Sequence, residues 1–260
     1  MKTLPRHVVA IIQARQGSSR LPGKTLTPLW GSKTVLEVML DRVRPAKTLN
    51  QIVVATTTES RDDAVETLCK TLGVGCFRGS EDDVLDRFYQ AATHFKATHV
   101  LRLTADCPLH DYEVIDRLVS TFFEASADYA ANALEHTYPD GFDAEVFTYE
   151  ALKRAHTEAK KPSEREHVTP YINQHRDLFK IVNVAHHRDA SNMRLTLDEP
   201  SDFKLIATVV NALFTPDRFV HLDEIIDYLE ANPDLLAING SIPRNEGYLK
   251  SLKKDLEQLS

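Results

Sequence analysis

The sequence predicts an α/β fold that is built on a mostly parallel sheet. Short apolar segments at 8–12, 52–56, 74–77 and 98–103 alternate with longer segments whose apolar residues recur at helical spacing. These apolar segments are continuous rather than alternating, which indicates strands that are buried on both faces. We therefore expect helices on both sides of the sheet and ligand-binding residues at the carboxyl ends of its strands.

Local start signals support the helices of the first half. Thr34 and Glu37 have the spacing of a capping box, in which each side chain satisfies a main-chain N–H group of the other residue. Ser60 precedes acidic residues that suit the first turn of a second helix, and Ser80 is expected to cap a third. A fourth helix is expected over about 111–125.

The second half of the chain is less regular. Strands are expected at 128–132, 141–147, 180–184 and 193–197. Helices are expected over 149–158, 163–175, 201–213, 222–231 and 245–258. We expect the whole chain, 1–260, to form one domain in which residues 133–192 are an inserted subdomain or a dimer arm.

The composition limits the class of protein. The chain has 260 residues, of which 42% are hydrophobic and 27% are charged, as in a globular protein with a sizeable core. Its net charge of −7 argues against non-specific nucleic-acid binding, which needs a basic surface. No apolar run approaches the roughly 20 residues that span a membrane. Cys69, Cys76 and Cys107 form no CxxC pair and the N-terminus is a poor signal peptide, so we expect a reducing cytoplasm.

The segment after the first strand carries the most specific signal. The apolar run VVAII opens into QARQGSSRLPGKT, in which small residues separate Arg15, Arg20 and Lys24. The main chain can approach a ligand closely at Gly17 and Gly23, and fixed positive charge offsets phosphate charge. The loop therefore predicts a site for an anionic small molecule, with an ordinary solvated loop as the alternative.

The P-loop of many nucleotide hydrolases and kinases does not fit this segment. That motif places four residues between its glycines, whereas five residues separate Gly17 from Gly23. Pro22 lacks the N–H group that a phosphate cradle needs. Pro28 and Gly31 also interrupt the helix that follows a P-loop directly.

Two aspartates end apolar segments in the same local context. Asp106 ends VLRLTAD and Asp198 ends MRLTLD, and a proline follows each of them two residues later. If the two segments are neighbouring parallel strands, both carboxylates lie beside the basic loop. Mg²⁺ prefers hard oxygen ligands next to a polyphosphate, so the pair predicts a magnesium site. Hydrogen bonding to turn amides explains either aspartate alone.

Several motifs together resemble one enzyme family. QARQGSSRLPGK, LTADCPL and LTLDEPSDF are similar to the motifs of the cytidylyltransferases that activate acidic eight- and nine-carbon sugars, the CMP-Kdo and CMP-acylneuraminate synthetases. GFDAEVF and SEREHVTPYI resemble the branch named for spore-coat polysaccharide synthesis. The resemblance covers about residues 8–205, and the combination of motifs is specific for the family.

The resemblance implies a three-layer α/β/α Rossmann-like fold of the nucleotide-diphospho-sugar transferase type, assembled as a homodimer. It implies the reaction CTP + acceptor → CMP-acceptor + pyrophosphate, with Mg²⁺ on Asp106 and Asp198. CTP and a small-molecule acceptor are then the partners, with no nucleic acid and no membrane. Arg15 and Lys24 would contact the triphosphate and act with the two aspartates in catalysis. The implied nucleotide-binding residues are Ala10, Ile12, Gln13, Ala14, Arg15, Gly17, Ser18, Arg20, Lys24, Thr56 and Arg102.

The resemblance is weak on the acceptor. The acidic-sugar synthetases usually carry other residues at the positions of Ala105 and Cys107, and they match the region 130–190 poorly. An ulosonic acid, another sugar, a polyol phosphate and a phosphonate therefore stay open as acceptors. Two further alternatives also stay open: transfer from another nucleoside triphosphate to a sugar phosphate, and non-enzymatic nucleotide binding. Transfer of a γ-phosphate by a P-loop kinase is set aside together with that motif.

Five residues of the second half are candidates for acceptor binding. Asp143 and Glu145 share one face of an expected strand, where they either bind hydroxyl or ammonium groups or face solvent. Arg165 and His167, in SEREHVTPYI, are further candidates. Glu166 is also a candidate, although a capping box with the serine three residues earlier accounts for it.

Two other sequence patterns do not predict a functional site. His186 and His187 predict a solvated loop pair, because no third metal ligand has a suitable spacing. Cys107 lies next to Asp106, but no His/Asp constellation in the sequence supports it as a nucleophile.

Overall fold

A seven-stranded sheet forms the centre of the computed structural model, which describes residues 5–257. The strands, in chain order, are β1 Val8–Gln13, β2 Pro28–Trp30, β3 Lys33–Thr34, β4 Gln51–Thr57, β5 Gly75–Gly79, β6 His99–Thr104, β7 Tyr129–Ala131, β8 Glu145–Thr148 and β9 Ile181–Asn183. The order in the sheet is β5-β4-β1-β6-β8-β7-β9, and β2 and β3 form a separate hairpin. Neighbours in the large sheet are parallel except where β8 pairs with β6 and β7. The predicted, mostly parallel sheet is confirmed.

Helices cover both faces of this sheet. They are α1 Val35–Val43, α2 Asp63–Thr71, α3 Val84–His94, α4 Tyr112–Glu124, α5 Tyr149–Glu158, α6 Pro162–His167, α7 Pro170–Gln174, α8 Pro200–Leu213, α9 Leu222–Ala231, α10 Pro233–Leu236 and α11 Glu246–Glu257. None of the helices described here is long and apolar enough to span a membrane.

The central strand β1 shows why the fold has three layers. Ala10 and Ile12 point to one face and pack with buried residues of α1, α2 and α4. Val9 and Ile11 point to the other face and pack with α3, α5 and α7. Because alternate side chains of a strand leave opposite faces, a continuous apolar strand needs a helical layer on each side. The three-layer α/β/α arrangement that the resemblance implied is confirmed.

The helix starts agree with the sequence signals in one case and differ in another. The Thr34 Oγ1 atom accepts from the Glu37 N–H at 3.3 Å, and the Glu37 carboxylate accepts from the Thr34 N–H at 2.7 Å, so the capping box is present. Ser80 does not cap the third helix. Its hydroxyl accepts from the N–H of Asp83 at 3.0 Å, and Asp83 is the residue that caps α3.

Backbone geometry changes two elements of the second half. The helix expected over 163–175 is divided into α6 and α7, because Val168 has a φ of 72°, outside the right-handed helical region. The strand expected at 141–147 begins only at Glu145, since Gly141 has a φ of 105°. A residue with that φ interrupts a strand.

The segment 193–197 is extended but is not a strand of the sheet. It forms a single bridge, between Asp140 and Arg194, and its main chain bonds to two separate loops. The Leu195 N–H donates to the Asp140 oxygen at 2.6 Å, and the Leu197 N–H donates to the Asp106 oxygen at 2.7 Å. The expectation of a strand here is therefore wrong, although its end still reaches Asp106.

The segment 133–192 is part of the central sheet. It supplies β8, between β6 and β7, and β9 at the edge. Its residues Phe147 and Leu152 are buried in the same cluster as Val9 of β1. This segment therefore shares the hydrophobic core of the domain, whereas its proposed part in dimerisation stays a prediction.

Candidate active site

A cavity of about 400 Å³ opens where β1 and β6 end. Both strands are parallel neighbours, so the loops at their carboxyl ends meet at one edge of the sheet. The segments 140–143, 194–198 and 243–248 close its other sides. Its ionisable lining residues include Arg15, Arg20, Lys24, Arg87, Arg102, Asp106, Asp140, Asp143, Glu166, His167, Arg194, Asp198 and Glu246.

The Lys24 ammonium group lies at a convergence of three oxygen atoms. Its Nζ atom is 3.1 Å from a carboxylate oxygen of Asp106, 2.9 Å from one of Asp198 and 2.6 Å from the main-chain oxygen of Leu197. Gly23 precedes it with a φ of 76°, which a residue with a side chain rarely adopts. This turn carries the loop back so that a largely buried lysine reaches both acids.

The charges of this group stabilise one another. Burial by itself lowers the pKa of Lys24, but the negative charges of Asp106 and Asp198 outweigh it and raise the pKa above its usual value. Burial raises the pKa of Asp106, whereas the Lys24 charge and hydrogen bonds lower it to about 2. Lysine and aspartate are therefore both ionised near neutral pH.

Arg194 holds Asp198 in place from the buried side. Its guanidinium contacts Asp202 at 3.0 Å through two nitrogens, Asp140 at 2.8 Å and Asp198 at 3.3 Å. Asp202, which is fully buried, also accepts the Asp198 N–H at 2.9 Å. The planar, five-donor guanidinium suits such a hub, because each carboxylate takes a separate N–H group.

Two arginines of the basic loop lie on more exposed sides of the cavity. Arg20 contacts Glu246 of α11 at 2.8 Å and Asp198 at 3.3 Å. Arg15, whose side chain is 43% exposed, lies 3.5 Å from Glu81. The long Arg15 contact leaves its donors accessible to an anionic ligand.

Arg87 adds a cation that the sequence does not reveal. It is buried on α3 and donates to the main-chain oxygen of Ser80, while its Nε atom is shielded and has no hydrogen-bond partner within residues 5–257. Burial and the nearby Arg15 lower its pKa to about 10, which leaves it charged at neutral pH. A buried cation with a spare donor favours an anionic ligand in this cavity.

Arg102 lies between two side chains at the ends of the strands. It forms an ion pair with Glu145 of β8 and donates to the Gln13 amide oxygen at 3.2 Å. Glu145 also accepts from Thr169 at 2.6 Å and from the buried Tyr129 hydroxyl. Glu145 thus orients Arg102 and does not itself line the cavity.

The remaining acidic wall is formed by Asp140 and Asp143. Arg244 donates to the Asp143 carboxylate at 2.5 Å. Burial and the adjacent charge of Asp143 raise the pKa of Asp140 to about 6, against the opposing effect of Arg244 and Arg194. Burial also raises the pKa of Asp143.

Glu166 and His167 line the cavity next to the C-terminal helix. The Ser251 hydroxyl of α11 is 2.8 Å from the Glu166 carboxylate and 2.9 Å from the His167 Nε2 atom. Burial and the charge of Arg102 lower the pKa of His167 to about 4, so that its ring is neutral at pH 7. Glu166 does not cap α6, because Glu164 accepts the N–H groups at the start of that helix.

Comparison with known proteins identifies the family. A family model described as cytidylyltransferase matches residues 9–233. The chain belongs to the cytidylyltransferase family. Its Lys24, Asp106 and Asp198 all lie within the matched region of this cytidylyltransferase.

Relatives of this cytidylyltransferase cover nearly its whole length. It is 39% identical over 243 residues to an uncharacterised protein of Methanocaldococcus jannaschii, covering 93% of this chain and 97% of that protein. It is 36% identical over 237 residues to the spore coat polysaccharide biosynthesis protein SpsF of Bacillus subtilis, covering 87% of this chain and 95% of that protein. A solved structure of a cytidylyltransferase from Leptospira borgpetersenii is similar with a TM-score of 0.84 at 33% identity, covering 89% of this chain and 97% of that one.

The cavity of this cytidylyltransferase includes most of the nucleotide-site residues expected from the sequence. Those that line it are Gln13, Ala14, Arg15, Ser18, Arg20, Lys24 and Arg102. Ala10, Ile12 and Thr56 do not: all three are fully buried, and the main chain of β1 pairs on both sides with β4 and β6. Gly17 lies behind the lining, against the side chains of Arg61 and Glu81.

Of the acceptor candidates, the structure brings Asp143, Glu166 and His167 to the cavity of the cytidylyltransferase. Arg165 is not among the residues that line the cavity. Its guanidinium forms two contacts of 3.0 and 3.1 Å with the Asp83 carboxylate at the start of α3 and donates to the His156 oxygen at 2.8 Å. It ties α6 to α3.

The cavity of the cytidylyltransferase also contains residues that sequence reasoning missed. They include Arg87, Asp140, Arg194 and Tyr248. Arg194 had a usable signal, because it lies four residues before Asp198 in the extended segment. Arg87 and Tyr248 had none, since both stand in ordinary amphipathic helices whose faces only the packing reveals.

Proposed function

We propose that this cytidylyltransferase transfers CMP from CTP to a sugar or a related small acceptor, with release of pyrophosphate. The observation that carries the proposal is the convergence of Lys24, Asp106 and Asp198 in a cavity that also holds Arg15, Arg20 and further cations. Such a mixture suits a triphosphate, whose charge needs several cationic partners.

The transfer is a substitution at phosphorus. An acceptor oxygen forms a bond to the α-phosphorus, the bond from that phosphorus to the bridging oxygen breaks, and pyrophosphate leaves with the electron pair. Arg15 and Lys24 offset the charge that grows on the non-bridging and leaving oxygens. Positioning and charge stabilisation are the main contributions, and no conventional general base is required of the protein.

The oxygen atoms around Lys24 also suit a hard divalent cation. Two carboxylates and one main-chain oxygen already converge on a single positive charge, and oxygen ligands are those that Mg²⁺ prefers. Asp106 and Asp198 would hold the ion. Bound there, it would neutralise phosphate charge and lower the pKa of an acceptor hydroxyl.

The other cavity residues support a division of roles. Gln13, Ala14 and Arg102 lie at the strand ends and are proposed to bind the nucleotide. Asp143, Glu166 and His167 come from the second half of the chain and are proposed to bind the acceptor. Carboxylates there favour an acceptor that presents hydroxyl or ammonium groups over one that presents only anionic groups.

A cytoplasmic role in precursor synthesis for a surface polysaccharide or glycoconjugate, as a homodimer, completes the proposal. The similarity to the SpsF protein, whose name refers to spore coat polysaccharide biosynthesis, supports this pathway class. Light scattering on the purified chain tests the dimer directly.

A pyrophosphate-release assay tests the activity. The purified protein is supplied with Mg²⁺, each of four nucleoside triphosphates in turn and a panel of acceptors: ulosonic acids, other sugars, polyol phosphates and phosphonates. We expect release with CTP and only in the presence of an acceptor. Release with another triphosphate and a sugar phosphate, but not with CTP, would refute the proposal.

A further inference from the structure

A second cluster of candidate ligands lies outside the cavity. His186 and His187 follow β9, and Asp223 lies in the first turn of α9. The ligand atoms of the three residues are all within 4.8 Å of one another. The expected solvated pair is wrong for His186, whose side chain is only 5% exposed and packs on Tyr138 at a ring separation of 4.8 Å.

The distances in this cluster are longer than hydrogen bonds. The Nε2 atoms of His186 and His187 lie 3.4 and 3.7 Å from the Asp223 Oδ1 atom. A hydrogen bond between such atoms is ordinarily about 2.7–3.2 Å. Two ligands of a tetrahedral zinc ion, each about 2.0–2.1 Å from the metal, are roughly 3.3 Å apart. The observed spacing is therefore close to that of metal ligands.

One carboxylate oxygen of the cluster lacks a hydrogen-bond partner within the described residues. Asp223 Oδ1 is shielded from solvent and makes no hydrogen bond within residues 5–257, although the Asp223 side chain as a whole is half exposed. A shielded carboxylate oxygen is costly unless a donor or a cation satisfies it. Both imidazole Nε2 atoms are its nearest polar neighbours from the preceding loop.

The His186 ring is oriented as a metal ligand. Its Nδ1 atom lies 3.0 Å from the Arg188 main-chain oxygen and 3.3 Å from the Arg188 main-chain nitrogen. The Nδ1 atom can donate to that oxygen or accept from that N–H group; in the tautomer that donates, the Nε2 lone pair faces the cluster. Histidine ligands commonly donate their other ring N–H to a main-chain oxygen in this way.

The nearby positive charge is already neutralised. The Arg188 guanidinium comes to 4.0 Å from Asp223, but it is held by Asp227 at 2.6 Å and Glu230 at 2.7 Å. The charge that Asp223 offers is therefore available to a bound cation.

We propose that His186, His187 and Asp223 bind a transition-metal ion of the zinc class, with water completing the coordination. Two imidazoles and one carboxylate favour Zn²⁺, whereas Mg²⁺ and Ca²⁺ prefer oxygen alone. None of the three residues lines the proposed catalytic cavity. The ion would fasten the loop after β9 to the start of α9, and it is separate from the magnesium proposed at Asp106 and Asp198.

Zinc titration by calorimetry tests the site on protein without a polyhistidine tag. The chain has 11 histidines, so background binding must be measured. We compare the wild type with His187→Ala, Asp223→Asn and a control, His94→Ala, which removes an exposed imidazole from α3. We expect one tight zinc per chain in the wild type and the control, and at least tenfold weaker binding in both cluster variants.

A second readout separates coordination from folding. Co²⁺ bound in place of zinc should give the visible absorption of a tetrahedral site in the wild type and lose it in Asp223→Asn. Unfolding temperatures in EDTA should be similar for the wild type and His187→Ala, whose ring is exposed, while zinc should raise only the wild-type value. Absence of tight zinc in the wild type, or equal affinity in the cluster variants, would overturn the proposal whatever the outcome of the pyrophosphate assay.

Discussion

The main-chain N–H of Leu197 donates to the main-chain oxygen of Asp106 at 2.7 Å. This bond brings the end of the extended segment against the loop after β6, although the segment is not a strand of the sheet. Asp198, the next residue, thereby comes close enough to Asp106 for one lysine to contact both. The pair of carboxylates depends on a loop-to-loop contact rather than on neighbouring parallel strands.

Replacing Lys24 by methionine tests the central cation. The substitution keeps the length of the side chain but removes the charge between Asp106 and Asp198, so the triphosphate loses a cationic partner and the carboxylates repel each other. We expect kcat/KM to fall by a factor on the order of 10²–10³, as for the loss of one strong charge-stabilising donor. Pyrophosphate release measures it.

Lys33→Met is the matched control for that experiment. Lys33 is an exposed lysine that pairs with Asp41 at 2.6 Å and does not line the cavity. Its loss should leave kcat/KM within about twofold, because surface ion pairs contribute about 1 kcal/mol or less. Equal activity of Lys24→Met and Lys33→Met would contradict the proposed role of Lys24.

Arg194→Lys tests whether Arg194 positions Asp198. A lysine keeps the charge, but a single ammonium group cannot hold Asp140, Asp198 and Asp202 in the fixed directions of a guanidinium. We expect kcat to fall about tenfold and the free energy of unfolding to fall by about 2 kcal/mol. Arg218→Lys, at an exposed pair with Glu224, should change neither kcat nor the unfolding temperature appreciably.

Gly141→Ala tests the close contact between two walls of the cavity. A Cβ atom at Gly141 would lie 2.4 Å from the main-chain oxygen of Leu195, and its φ of 105° is already unfavourable for alanine. We expect a loss of about 3 kcal/mol in the free energy of unfolding, measured by urea denaturation. Gly31 has a φ of 57° and open space around it, so Gly31→Ala should lower the free energy of unfolding by only about 1 kcal/mol.

His110→Leu tests a pH-dependent destabilisation. His110 is fully buried with neither ring nitrogen hydrogen-bonded inside the described range, and burial followed by the charge of Arg42 lowers its pKa to about 3. Between pH 6.5 and 3 the unfolded chain binds a proton that the folded chain refuses, so stability falls as the pH falls below 6.5. As the pH falls through that window, the free energy of unfolding of the variant should rise relative to that of the wild type by about 1.4 kcal/mol per pH unit.

Comparison of the two proteins at several pH values isolates His110. Asp140 has a raised pKa of about 6, which gives a pH dependence of stability opposite in sign to that of His110. Because Asp140 is present in both proteins, its contribution cancels in the difference between them. Thermal unfolding at pH 7.5, 6 and 5 measures that difference. A constant gap between the proteins across the series would show that His110 is protonated in the folded state as readily as in the unfolded state.

Glu166→Gln tests the proposed acceptor wall. Glu166 lines the cavity, so loss of its charge should raise the KM for the acceptor severalfold and leave the KM for CTP nearly unchanged. Arg165→Ala, one residue earlier, should lower the unfolding temperature without changing either KM, because its ion pair with Asp83 lies away from the cavity. An effect of Glu166→Gln on CTP alone would place the nucleotide on this wall.

Local sequence patterns predicted the elements that form through local contacts. The capping box at Thr34 and Glu37 and the helix α5, expected over 149–158, need only neighbouring residues, and both are present. The cap of α3 was misplaced from Asp83 to Ser80, since several polar residues in that turn satisfy the same local rule. The sequence likewise indicated Arg15, Lys24, Asp106 and Asp198, because basic residues cluster in one loop after a buried strand and the two aspartates end apolar segments in the same local context.

Contacts between segments that are distant in the sequence decided which partners the other site residues have. Glu145 turned out to orient Arg102, and Arg165 to bind Asp83, because their partners lie 43 and 82 residues away in the chain. Asp223 joins His186 and His187 from a helix that spacing rules do not associate with them.

The sequence by itself determined most strands and helices of the first half and the basic loop, since their signals repeat within a few residues and follow from burial and local hydrogen bonding. Only the tertiary structure decided which charges face the cavity and which pair with one another. Ion pairing depends on distance in space, and residues such as Arg194 and Asp140 reach each other through turns whose geometry no local pattern specifies.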